Sequence, residues 1–331
     1  MAQTMYSKVD EYGFERPTNF DYKLHAEFME KYMRTLVRRA QRWSTLKGKN
    51  KYVKNNKLRR FVRKGVPLDL RSIVWMQVSE AQVLKDASPA NYYNIRKTQI
   101  NNPALIEMIK IDVPRTFPDN INFISQEYLS KQMFNVLATF AHQNSEVGYC
   151  QGLNYITGLL LLVTKNEEVS FWLLKVLVEN ILPKYSVTNM SGLLVDLDVL
   201  DELVARFDVD IHRHIRKIGM PWAMVTTKWF ICLFCEVLPT ETVLRIWDCI
   251  FYEGSKIIFR VGLTLIKLHK TEILRTKELS ELITCFKDMR NHKEVIDCHQ
   301  FMINIFKIPG SITDNELQRL RIKYSKTQNQ R

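Results

Sequence analysis

Turn-forming residues are scarce in this chain, and that scarcity limits its fold more than any other feature. Only 11 Gly and 10 Pro occur in 331 residues, and no Asn-Gly or Asp-Gly pair is present to close a tight hairpin. A sandwich or barrel of short strands needs a turn every ~10 residues, and no such rhythm runs along the chain. Helices joined by short connections fit instead, and 46% hydrophobic residues can bury a core for one large domain or two. The expected class is all-α, with no substantial sheet.

Apolar spacing of the helical kind recurs throughout. Over residues 23–46, Phe28, Tyr32, Leu36, Ala40 and Trp43 share one face, with Arg34, Arg38, Arg39 and Arg42 largely on the other. Gly65 and Pro67 mark a turn, and a helix should begin near Leu68. Asn102 and Pro103 read as N-cap and first helical residue. The helix they open should stop near Asp112, because the residue before a proline avoids the α region. Residues 126–142 carry another helix on Leu129, Met133, Val136, Leu137 and Phe140, and a loop, QNSEVG, follows it. Leu153 to Val163 is the longest near-continuous apolar stretch, about half a membrane span, and reads as a buried helix. Further helical patterns cover 169–182, 193–206, 222–236, 240–252 and 256–269.

Charge is concentrated. Lys31 to Lys64 holds 14 Lys and Arg and no acid, so with a total of +13 the rest of the chain nets −1. The lysine-rich connector KGKNKYVKNNK, residues 47–57, follows the amphipathic helix. Two readings stand: attraction to an anionic membrane surface or acidic partner, or a helix packed on the body with a solvated basic face. Nucleic acid is not expected, since the aromatics lie on the apolar side and no nucleic-acid motif occurs.

Other chemistries lack their signatures. No GxxxxGK[ST], no GxGxxG after a strand and no GxSxG is present. Cys232 and Cys235 form a CxxC, read as one turn of a buried helix, and His212 and His214 have no second ligand pair nearby, so no metal is expected. The N-terminus has no apolar h-region, residue 2 is Ala, and the C-terminus carries no prenylation cysteine. The six cysteines are then expected to be reduced thiols, several of them buried. The expected location is cytoplasmic, with peripheral membrane association following if residues 31–64 bind lipid.

Two polar features remain. In KIDVPRTFPDN, residues 110–120, Pro114 and Pro118 flank Arg115, with Asp112 close enough to hold its guanidinium. A rigidly presented arginine suits an anion, because its planar fork matches phosphate. The competing reading is a structural Asp–Arg pair closing a turn. In GYCQGLNY, residues 148–155, Gly148 and Gly152 bracket Tyr149, Cys150 and Gln151. Glycines there allow close backbone approach by a partner, and a glutamine amide both donates and accepts, as orienting a water requires. The competing reading is a cap on the buried helix.

Together and in this order, the two features resemble the signature of TBC-domain GTPase-activating proteins for Rab GTPases. Ile109, Asp112 and Arg115 match the family's IxxDxxR, followed by Thr116-Phe117-Pro118; Tyr149 and Gln151 match its YxQ. RKGVPLDLRSIVW resembles the first block, with Gly65, Pro67, Arg71 and Trp75 in place. RIWDCIFYEGSKIIFRVGLTLI resembles the last, with Trp247, Asp248 and Gly254. The resemblance implies a two-part helical domain over 61–275; outside it lie a basic extension, 1–60, with the amphipathic helix and lysine-rich connector, about which the resemblance says little, and a helical segment and polar tail, 276–331. It implies a Rab-family GTPase in the GTP-bound state as partner, carrying its own GTP and Mg²⁺, so that this chain needs no cofactor and hydrolyses no nucleotide by itself. Arg115 would be an arginine finger and Gln151 would position the attacking water. Asp112 would orient Arg115, and Tyr149 would support the loop or touch the GTPase. The remaining motif residues would be scaffold. A non-catalytic Rab-binding scaffold is the alternative, although such a protein would be expected to lack Arg or Gln.

Overall fold

In the computed structural model, residues 8–16, 18, 20–46, 52–125, 127–182, 185 and 190–328 are described. Among them no strand forms; extended pairing is limited to two isolated bridges, Val9 with Glu15 and Phe14 with Asn120. The all-α expectation holds. The chain divides into two compact units, one of residues 1–145 with 153–174 and the other of 146–152 with 175–331.

The first unit is organised around the helix Leu153–Thr164, buried on nearly every side. The helix Glu127–Gln143 packs along it and buries Leu129, Met133, Val136, Leu137 and Phe140, as the spacing predicts. Burying each such side chain contributes about 1.5–3 kcal/mol. Pro103–Asp112 and Ile121–Ser125 pack on Glu127–Gln143, and Leu68–Val78 packs on Leu153–Thr164. Gly158 lies inside the central helix because a side chain there would strike an aromatic ring. An added Cβ would fall 2.9 Å from Phe117 Cε2 and 3.3 Å from Phe123 Cζ.

The basic helix runs Tyr22–Ser44, and Asp21 caps it by accepting the Leu24 N–H at 2.9 Å. Its buried stripe differs from expectation: Arg39 is buried while Ala40 is exposed. Tyr32, Arg39 and Trp43 fall at i, i+7 and i+11, closer to one line than Ala40 lies. The Arg39 guanidinium donates to the Tyr32 hydroxyl at 2.8 Å, so its aliphatic stem can cover apolar surface. Trp43 Nε1–H donates to the Gly65 carbonyl at 2.9 Å, tying the helix to the turn before Leu68. Of the lysine-rich connector, residues 47–51 lie outside the described residues. Its last part is helical, since Asn56–Arg63 forms a helix capped by Asn55.

In the second unit, Ser191–Phe207 packs against Val209–Ile218, Trp222–Ile231, Lys256–Leu268 and Asp314–Gln328. Asp196, fully buried on the first of these, accepts two N–H bonds from Arg321 at 2.7 Å and the Tyr185 hydroxyl. The last helix is thereby clamped into the unit. Arg260 likewise donates to the carbonyls of Ile305 at 3.3 Å and Gly310 at 3.0 Å.

Two helix ends depart from the sequence pattern. The helix expected over 222–236 stops at Ile231, and Leu233 and Phe234 take φ of +47° and +67°. The reversal buries both side chains and turns the Leu233 carbonyl toward Trp247 Nε1–H, 3.0 Å away. Cys232 and Cys235 therefore do not form a helical turn, and both are free thiols. The pattern 169–182 resolves into an α-helix, Glu167–Val176, and a π-helical turn, Leu177–Ile181. Among the described residues no helix is long and apolar enough to cross a membrane.

Candidate functional site

The arginine loop belongs to the first unit. Asn102 accepts the Leu105 N–H at 3.2 Å and Pro103 opens the helix Pro103–Asp112, as its sequence predicts. Ile109 is fully buried in the core. Beyond Asp112 the chain does not become irregular. Val113, although it precedes a proline, is helical at φ −56°, ψ −51°, and Val113–Arg115 forms a 3₁₀ turn. Pro114 sits inside that turn because its fixed φ suits it. The turn ends at Thr116, which is extended, and at Phe117, which takes a left-handed φ of +53°.

This geometry separates the two charges. Asp112 is 4% exposed, whereas the Arg115 side chain is 54% exposed. Arg115 Nη2–H donates to Asp112 Oδ1, leaving most of the guanidinium's five N–H donors directed away from that carboxylate. Thr116, buried, donates its hydroxyl hydrogen to the Asp112 carbonyl at 2.8 Å and accepts from Asn154 Nδ2 at 2.8 Å. The Phe117 ring is enclosed by Phe14, Tyr155 and Phe123 at centroid distances of 5.0, 5.4 and 5.9 Å.

A segment near the N-terminus braces the same loop. Glu15 N–H donates to the Asp119 carbonyl at 2.8 Å, and Ile121 N–H donates to the Gly13 carbonyl at 2.9 Å. Asn120 and Asn122 both donate to the Tyr12 carbonyl at 3.1 Å, and the Tyr12 hydroxyl accepts from Arg71 at 2.9 Å. Gly13, at φ +90°, permits this crossing, since a Cβ would meet Asn122 Nδ2 at 2.3 Å. Asp10 ties the segment into a turn by accepting the N–H groups of Tyr12 and Phe14. None of this was legible locally, because Tyr12 and Asn120 are 108 residues apart.

The glutamine loop belongs to the second unit. Gln151 is exposed, and its side-chain amide has no hydrogen-bond partner among the described residues. Tyr149 is half-buried. The flanking glycines have different grounds. Gly148 has φ +60° with open space where a Cβ would lie, so only its backbone angle favours glycine. Gly152, at φ +112°, packs on the end of the helix Trp222–Ile231: a Cβ would meet the Ile231 carbonyl oxygen at 3.1 Å and Cys232 Sγ at 3.4 Å. The close approach at Gly152 is thus made by the chain itself. Burial, with the nearby Glu236 carboxylate, pushes the Cys232 thiol up to about 12.

The other motif residues lie in the core or at helix ends. Trp75 and Arg71 are buried, Pro67 precedes the helix Leu68–Val78, and Gly65 has φ +105°. Trp247 and Asp248 are buried on Thr240–Glu253, whose end is closed by Gly254 at φ +85°. Among the described residues no group of three His, Cys, Asp or Glu is arranged to hold a metal ion. Asp112 and Arg115 are therefore brought together, as their spacing suggests, while Gln151 belongs to the other unit.

An all-helical fold with an exposed, carboxylate-held arginine on a 3₁₀ turn agrees with the comparison to known proteins. Residues 68–274 match the Rab-GTPase-TBC domain, and the chain belongs to that family. Within it, the chain is similar over nearly its whole length to the growth hormone-regulated TBC proteins. Identity to growth hormone-regulated TBC protein 1-A of Danio rerio is 45% over 323 residues, covering 97% of this chain and 90% of that protein. Identity to growth hormone-regulated TBC protein 1 of Homo sapiens is 45% over 316 residues, covering 95% and 94%. Among solved structures, the Chlamydomonas flagellar RabGAP TBC domain superposes with a TM-score of 0.78 at 33% identity, covering 90% of this chain and 99% of that one.

Proposed function

We propose that this chain accelerates GTP hydrolysis by a GTP-bound Rab-family GTPase, supplying Arg115 and Gln151 in trans. The observation that carries the reading is the pairing of an exposed Arg115 with a buried Asp112 in a member of the Rab-GTPase-TBC family. Phosphoryl transfer builds charge on the phosphate oxygens, and an arginine offered in trans stabilises that charge by about 10³–10⁵ in rate, ~4–7 kcal/mol. Asp112 restrains one edge of the guanidinium, so less side-chain entropy is lost when the other edge meets phosphate. Gln151, exposed and free to donate and accept, suits orientation of the attacking water. The nucleotide and its Mg²⁺ belong to the GTPase.

The test is single-turnover hydrolysis across a panel of GTP-loaded Rab proteins. Arg115→Ala and Gln151→Ala should each abolish most of the stimulation on a responsive Rab. Because Asp112 is buried, Arg115→Ala leaves a carboxylate without its cation, so thermal melting accompanies the assay and hydrolysis is compared at a temperature where the variant is folded. Full stimulation by Arg115→Ala refutes the finger. Retention of most activity by Arg115→Lys refutes the role of the planar fork, since lysine offers only a point charge. Tight binding of a Rab by the wild-type chain with no stimulation of any panel member assigns it to the scaffold class.

A further inference from the structure

The outer face of the basic helix is built differently from a solvated surface. Tyr22–Ser44 turns Tyr32, Arg39 and Trp43 inward. On the opposite side Met33 and Val37, at i and i+4, are 50% and 52% exposed. Beside them Lys31, Arg34 and Arg38 form an exposed stripe at i, i+3 and i+7. Among the described residues no acidic side chain pairs with any of these three. Glu27 and Glu30 stand one turn before Lys31 and Arg34 on the same side of the helix, and no further acid occurs until Asp69.

The next helix, Asn56–Arg63, extends the charge. Arg42 and Lys57 each lie 5.8 Å from the centre of the Phe61 ring, so the basic edges of the two helices meet at that residue. Arg59, Arg60 and Lys64 are exposed there and also lack an acidic partner among the described residues. Val53, between the helices, is 64% exposed. A surface made only to be soluble needs neither the bare apolar pair nor so long a run of cations without an acid after Glu30.

We infer that this face docks on an anionic membrane surface. A helix of 23 residues, ~35 Å long, can lie flat in the headgroup layer. Met33 and Val37 would enter the acyl boundary while the cationic stripe meets lipid phosphates and carboxylates. Charge complementarity selects the occupant: 14 cations without an acid in one segment, on a chain otherwise near neutrality. The apolar pair favours a lipid surface over an acidic protein tail, which would be held by charge alone. The inference does not depend on Arg115 being a finger.

The test is co-sedimentation of the full chain with phosphatidylcholine vesicles, with and without phosphatidylserine. Binding should require phosphatidylserine and weaken steeply with salt. Arg34→Gln with Arg38→Gln should weaken it by about 25-fold, five-fold per cation, equivalent to ~1 kcal/mol each. Met33→Ser with Val37→Ser should weaken it by about ten-fold without changing net charge. All four positions are exposed, so thermal melting and hydrolysis in solution should match wild type. No sedimentation on phosphatidylserine vesicles overturns the inference. So does binding that ignores Arg34→Gln with Arg38→Gln. Equal capture on polyglutamate beads that ignores Met33→Ser with Val37→Ser assigns the face to an acidic protein instead.

Discussion

Replacing Gly158 with alanine should destabilise this protein, against the ordinary rule for helices. Within a helix, Gly→Ala is worth about 1 kcal/mol of added stability. Here the new methyl would sit 2.9 Å from Phe117 Cε2 and 3.2 Å from Cδ2. That ring cannot step aside freely, because Phe14, Tyr155 and Phe123 enclose it and its backbone holds a left-handed φ of +53°. Overpacking of this kind costs about 1–3 kcal/mol. Set against the helix gain, the net loss should be about 1 kcal/mol, or ~2–4 °C in melting temperature for a unit of this size. The displaced residue is two positions after Arg115, so stimulated hydrolysis should fall more than stability does. Phe117→Leu relieves the clash, and the double variant should recover about 1 kcal/mol relative to additivity. Urea melts and single-turnover hydrolysis on the four members of the cycle would decide. If Gly158→Ala gained the full helix increment, the packing argument would be wrong.

Two further outcomes follow from the second unit. Arg321→Ala leaves Asp196 buried without its cation and should cost about 3–5 kcal/mol by urea melting, whereas Asp196→Leu with Arg321→Met should cost much less. Burial opposes ionisation of Asp208, but hydrogen bonds from Lys267 and Lys270 outweigh it and hold the carboxyl at about 2. A folded pKa below the unfolded value of ~3.9 gives stability that is present above ~pH 4 and lost as pH falls toward the folded value. Asp208→Asn should therefore cost about 1–2 kcal/mol at neutral pH, after allowing for the partly exposed lysines, and this difference should vanish near the acid limit.

Local signals made much of the fold readable. The Asn102-Pro103 cap, the start at Leu68 and the apolar stripe of Glu127–Gln143 all depend on residues within one or two turns, and each lies where its spacing puts it. Failures came where side-chain pairing or backbone conformation departs from what apolar spacing registers. Arg39 is buried with its N–H on Tyr32 two turns earlier in the same helix, a side-chain pairing that a hydropathy pattern does not register. The helix after Trp222 stops early because Leu233 and Phe234 adopt angles that non-glycine residues rarely take. At the site, the Asp112–Arg115 pair was legible as an i, i+3 contact. Its setting was not: Phe117 gives no sign of a left-handed backbone, and Asn154 reaches Thr116 across 38 residues.

The brace at residues 9–15 bears on how such a protein is subdivided. The family match begins at residue 68 and ends at 274. A fragment trimmed to those bounds would keep Arg115, Gln151 and nearly all the recognisable motif residues. It would also leave Asn120 and Asn122 without the Tyr12 carbonyl, Phe117 without Phe14, and Asp196 without Arg321. Such a fragment is expected to be inert with both loop motifs intact, and its silence would not test the role proposed for Arg115. Boundaries drawn from sequence similarity mark what relatives share; the contacts that hold this arginine in place extend well past them.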